Sequence, residues 1–177
     1  MPASASPSTR PGPVAEPAGP HWQVRLLGAV EAHRPGQSPT RLPSRAAAPL
    51  LARRALAPGR MHPREELVEL LWPGVALDVG RNRLRQALST LKAQLEGQGG
   101  PLVVLADRLG VRAAPGALGC DAVDFERHLR SGDWHRADQA YGGELMPGFY
   151  EDWVIEERAR LAALADRLDA MPRLPPP

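Results

Sequence analysis

Apolar positions in the middle of the chain recur with a helical period. Leu84, Leu88, Leu91 and Leu95 fall at i, i+4, i+7 and i+11, so residues 80–95 are predicted to form an amphipathic helix with one narrow stripe against a core. At about 100° per residue, Arg81, Arg85, Ser89 and Lys92 lie along one flank of that stripe, with Asn82 and Gln86 further round. The exposed side carries cations and amides and meets no acid until Glu96.

Upstream, residues 22–27 alternate as a strand, residues 29–33 form a second, and the Pro35-Gly36 turn leads to a third near 40–42. This predicts a small antiparallel sheet. Ser44 is placed to cap a helix over 45–56 with Leu50, Leu51 and Leu56 apolar. Pro49 lies deep enough that this helix must start late or bend. His62-Pro63 opens the next helix, Glu65 and Glu66 suit its positive end, and Leu67, Leu70 and Leu71 form its apolar face. Trp72-Pro73-Gly74 ends it, Trp72 reads as a core anchor, and a loop over 73–79 leads to the central helix. After a Gly-rich break at 97–101, the β-prone run 102–106 turns at Asp107-Arg108 into 109–112, a hairpin with Arg108 at its tip and Arg112 at its end. Helices then follow over 122–130 and 134–141, a hairpin with Phe125, Leu129, Ala137 and Tyr141 available to pack, and over 151–169. The fold class is mainly α with small antiparallel β: a winged helix-turn-helix followed by tetratricopeptide-like helical hairpins.

Charge divides the same way. The net charge of +2 conceals 14 Lys/Arg against 7 Asp/Glu over residues 22–119, and 7 against 12 over residues 120–177. A basic half joined to an acidic half points to a polyanion-binding unit and a second unit with another task. Residues 1–21 hold the prolines and small residues of a disordered tail, and 171–177 form a Pro-rich end. The expected domains are therefore 22–113, the winged helix, and 120–170, the helical unit. No apolar run is long enough to span a bilayer as a helix and the N-terminus lacks a signal-peptide core, so a cytoplasmic protein without membrane attachment is expected.

Arg forks onto guanine and Asn or Gln onto adenine, while Lys and Ser take phosphates, so the flank of helix 80–95 has the inventory for reading a base edge. An ordinary solvated basic face is the bland alternative. Cys120 is the sole cysteine and His21, His33, His62, His128 and His135 have no ligand spacing, so neither a metal site nor a cofactor is expected. No phosphate loop or nucleophile–base pair argues for an enzyme, and Asp121, Asp124, Glu156 and Glu157 read as solvated helix residues.

The stretches LLGAVEAH, LPSRAAAPLLA, LAPGRMHPREELVELLWP and RNRLRQALSTLKAQL resemble the winged-helix output domain of bacterial response regulators. They resemble in particular the form found at the N-terminus of Streptomyces antibiotic regulatory proteins. The run from Cys120 to Leu161 is similar to the bacterial transcriptional activator domain that follows it in that family. The resemblance covers most of 22–170 and implies a sequence-specific transcription regulator. Its recognition helix maps onto 80–95 and its wing onto 102–112, which gives DNA-facing roles to Arg81, Asn82, Arg85, Gln86, Ser89, Lys92, Arg108 and Arg112. Double-stranded DNA is the implied partner, with RNA polymerase a further one. Two departures stand out: Pro49 interrupts a helix, and the chain holds fewer helical hairpins than a full activator domain. The competing function is a protein-interaction module whose basic half binds acidic protein or RNA.

In 151–169, Val154, Leu161, Leu164, Ala165 and Leu168 share one side, and Pro172 and Pro175 to Pro177 stop the helix. A following helix would cover that face in a full activator domain. An exposed apolar stripe marks an interface, so Val154, Leu161, Leu164 and Leu168 are expected to pair in a homodimer, with folding back on the winged domain or internal packing on Phe125, Leu129 and Tyr141 as the alternatives.

Overall fold

A computed structural model describes residues 20–42, 45–97 and 100–170. The expected N-terminal disorder up to residue 19, the Ser44 cap and the Pro-rich end lie outside them. The chain opens with β1 (Trp22–Arg25), β2 (Glu31–His33) and β3 (Thr40–Arg41), the antiparallel run that the alternation predicts. Helix α1 (Ala47–Leu56) follows. It starts late: Pro49 falls in its first turn, where a missing N–H leaves no hydrogen bond unmade.

His62-Pro63 departs from expectation. These residues form a short strand, β4, and α2 (Arg64–Leu71) begins only after them, with Glu65 and Glu66 in its first turn. Val68 joins Leu67 as fully buried, whereas Leu70, Leu71 and Trp72 are partly buried against the core. Helix α3 (Leu77–Glu96) starts three residues before the predicted point, because Asp78 suits its N-terminal turn. Its buried stripe is Gly80, Leu84, Ala87, Leu88, Leu91 and Leu95.

Tertiary hydrogen bonds fix both neighbours of α3. At its C-terminal end the Leu95 carbonyl accepts from Trp22 Nε1 at 2.9 Å and Arg34 Nη2 at 3.2 Å, and the Arg34 guanidinium lies over the Trp22 ring. Glu96 Oε1 accepts from the amides of Val103 and Val104, both at 2.9 Å, and so fastens the next strand to the helix. That strand, β5 (Val104–Ala106), pairs antiparallel with β6 (Gly110–Ala113), Leu105 opposite Arg112, and β4 pairs on the other side of β6. The hairpin is thus the outer part of a three-stranded sheet.

A strand that the sequence reading lacks joins the two halves. β7 (Leu118–Cys120) runs parallel to β1, giving the first sheet the order β3-β2-β1-β7. It delivers the chain directly into α4 (Asp121–Ser131), and Gly132, with φ 73°, ends that helix before α5 (Trp134–Ala140). Asp121 is not the solvated helix residue expected of it. Its carboxylate accepts from the amides of Leu26 at 2.9 Å, Leu27 at 3.0 Å and Ala122 at 2.8 Å, so the first residue of α4 takes up one of the helix's opening amides while catching the end of β1. Burial holds its pKa above the usual carboxylate value, against the opposing pull of those hydrogen bonds.

The segment before α6 (Asp152–Asp169) returns to the same place. Gly28, with φ 84°, donates to the Glu144 carbonyl at 2.8 Å, and a Cβ on it would lie 2.4 Å from the Gly142 oxygen. Arg158 gathers this loop by donating to the carbonyls of Leu145, Met146 and Phe149 at 2.8–2.9 Å. Val154, Leu161, Ala165 and Leu168 are buried and Leu164 partly buried, in one apolar cluster with Phe125, Leu129 and Tyr141. The exposed stripe expected to await a second copy is therefore covered within the chain. The reason is that the turn at 142–149 folds α6 back beside α4, where Arg160 pairs with Glu126 at 2.6 Å.

Candidate nucleic-acid interface

α2, its five-residue turn and α3 form a helix-turn-helix whose closest approach is set by Gly80. A Cβ there would lie 2.2 Å from Val68 Cγ1, so only glycine lets α3 cross α2 at this depth. The crossing leaves Arg81, Asn82, Arg85, Gln86 and Ser89 exposed on the outer side of α3 and Lys92 partly buried. Arg81 Nη2 reaches Glu65 Oε1 in the first turn of α2 at 2.7 Å, and Arg85 Nη1 reaches Asn82 Oδ1 at 2.7 Å. The Arg81 hydrogen bond holds the Glu65 carboxyl below its usual pKa.

The wing stands beside the N-terminal half of this helix. Its tip is a tight turn in which Asp107 Oδ1 accepts from the amides of Leu109 at 2.7 Å and Gly110 at 2.9 Å, and these bonds lower the Asp107 pKa. Arg64, the first residue of α2, donates to the Asp107 carbonyl at 2.8 Å and so ties the wing tip to the helix-turn-helix. Leu109 projects from the tip with 80% of its surface exposed.

Between helix and wing lies a cleft of about 470 Å³ lined by Arg64, Arg81, Leu84, Arg85, Asp107 and Arg108. The fold thus brings together three of the sequence-predicted cations, Arg81, Arg85 and Arg108. It leaves Asn82, Gln86, Ser89, Lys92 and Arg112 outside the cleft, with Arg112 exposed on β6. Arg64 is the member that sequence reasoning missed. Its neighbours Glu65 and Glu66 mark an ordinary acidic helix start, and only the tertiary approach of the wing gives it a role. Four guanidiniums, set against the carboxylate of Asp107 in the cleft and that of Glu65 on Arg81, make a concave surface of net positive charge able to take phosphate oxygens bidentately and guanine edges.

Mycobacterium tuberculosis EmbR has this fold. Its structure, solved in complex with a low affinity phosphopeptide, superposes with a TM-score of 0.68 at 17% sequence identity. The likeness covers 84% of this chain and 44% of EmbR, so the chain spans less than half the length of the protein it matches. What the two share is the fold, a winged helix followed by further helices. No protein-family model matches the chain, and no curated protein matches it.

Among the described residues, no group of three or more His, Cys, Asp or Glu side chains is placed to hold a metal ion, and no helix is long and apolar enough to cross a membrane. Cys120 is buried beside Asp121, and burial pushes its thiol pKa up to about 12, which keeps it protonated and unreactive.

Proposed function

We propose that this protein is a sequence-specific DNA-binding transcription regulator, with residues 22–113 as the DNA-binding unit. In this reading α3 enters the major groove and the wing, β5 and β6, reaches the flanking backbone. The observation that carries it is the cleft in which Arg81 and Arg85 of α3 meet Arg64 and Arg108 at the tip of the wing. That arrangement matches a duplex: one wall for base edges, the other for phosphates. The charge of residues 22–119 supports it, 14 cations against 7 acids on the half that would face the polyanion. The resemblance to Streptomyces antibiotic regulatory proteins points the same way. In this reading the acidic helical unit, 120–170, serves oligomerisation or contact with the transcription machinery.

Selection of bound duplexes from a random pool, followed by affinity measurement on the selected and a shuffled sequence, tests the reading. Specific recognition predicts at least about a 1,000-fold preference at physiological salt. A ratio near one leaves a basic module that binds acidic protein or RNA.

A further inference from the structure

The four-arginine cleft explains affinity for a polyanion but not how two flexible cations on an exposed helix would choose a sequence. The hydrogen bonds around them supply an answer. Arg85 Nη1 is held by Asn82 Oδ1 at 2.7 Å, one turn back on the same helix, and Arg81 Nη2 is held by Glu65 Oε1 at 2.7 Å, from the neighbouring helix. Both arginines are exposed, so neither bond is forced by burial. Each nonetheless uses one edge of a guanidinium that carries five donors and leaves the rest free.

This occupancy decides what Asn82 does. Reading adenine takes both ends of a carboxamide, with Oδ1 accepting from N6 and Nδ2 donating to N7. In Asn82 the acceptor is already engaged by Arg85. With Oδ1 bonded to Arg85, Asn82 is committed to that guanidinium, whose remaining paired donors match guanine, since its major-groove edge presents O6 and N7 as two acceptors. A guanidinium restrained before binding loses less side-chain entropy on forming the fork.

Resting on the DNA-binding reading above, we propose that Arg81 and Arg85 each read a guanine, with Glu65 and Asn82 as positioning residues that hold the two guanidiniums for the purpose. The four-residue separation is a rise of about 6 Å along α3. At about 3.4 Å per base step, this sets the two guanines roughly two base pairs apart in one half-site.

The test uses the full chain and duplexes selected from a random pool. The expected wild-type consensus contains two guanines about two base pairs apart, and replacing the Arg85-facing one by 7-deazaguanine weakens binding roughly 5- to 150-fold. Asn82→Ala should flatten discrimination at that guanine while leaving the salt dependence of affinity unchanged. Asn82→Asp, which keeps an acceptor, should retain the guanine preference at lower overall affinity. Glu65→Gln should relax the other guanine only. Circular dichroism and thermal unfolding of each variant establish that folding is intact. If Asn82→Ala instead alters preference at an adenine, or leaves guanine discrimination intact, the positioning role is wrong although DNA binding stands. If no duplex is enriched by the wild type, the DNA-binding reading and this proposal both fail.

Discussion

Gly80→Ala is the substitution that tests most sharply how the helix-turn-helix is built. A methyl group at this position would lie 2.2 Å from Val68 Cγ1 and 3.3 Å from Val68 Cβ. Carbon atoms rest at about 3.5–4.0 Å, so α2 and α3 must separate by over about 1 Å or Val68 must leave its place. Val68 is 2% exposed and has nowhere to go. Overpacking of this kind costs up to about 3 kcal/mol. Alanine returns about 1 kcal/mol of helix propensity relative to glycine, leaving a net loss of about 2 kcal/mol. Val68→Ala alone removes two buried methyl groups, at about 2 kcal/mol. In the double variant the new methyl occupies the space that Val68 vacates, so the pair should be no less stable than Val68→Ala. Urea unfolding of the four proteins gives the cycle, with an expected coupling of at least about 2 kcal/mol. Additive losses, or a Gly80→Ala protein as stable as wild type, would refute the close-crossing argument.

His62 is fully buried, and burial, with Arg54 beside it, lowers its pKa to about 4 against an ordinary 6.5. The fold holds it neutral, so its contribution is complete above pH 6.5 and is lost as pH falls from there toward 4, by about 3 kcal/mol at most. Denaturant midpoints measured from pH 7 to 4.5 should fall in wild type and flatten in His62→Gln; parallel profiles would contradict this. Asp121→Ala strands the amides of Leu26, Leu27 and Ala122 and should cost about 3 kcal/mol or more. Asp121→Asn, which keeps one acceptor, should cost less, and equal losses in the two variants would remove the hydrogen-bond account. In the wing, removing Arg108 or Arg112 should reduce the slope of log affinity against log salt by about one unit each. An unchanged slope in both means that the hairpin does not touch the duplex.

The stripe Leu84, Leu88, Leu91, Leu95 was legible because a long helix writes its buried face into one local period. The strands β4 and β7 were not. His62-Pro63 and Leu118-Gly119-Cys120 are too short to alternate, and they become strands only by pairing with β6 and β1. Their partners lie some 50 to 100 residues away, so no local pattern could announce them. The same distance hid Asp121, whose acceptors serve Leu26 and Leu27 in the first strand's exit. It also hid Arg64, whose role depends on where the wing tip comes to rest. The apolar face of α6 was read correctly as apolar, but periodicity says that a face is covered and not by what. Here the cover comes from the same core as Phe125 and Tyr141, whose rings are 5.0 Å apart.

Backbone amide shifts of the full chain, followed through titration with a selected duplex, test the central claim most directly. The account predicts that the changes concentrate in the first three turns of α3, in Arg64 and in residues 106–112 of the wing. The amides of α4, α5 and α6 should stay where they are. Changes centred on α4–α6, or spread evenly over all basic surface positions, would contradict it.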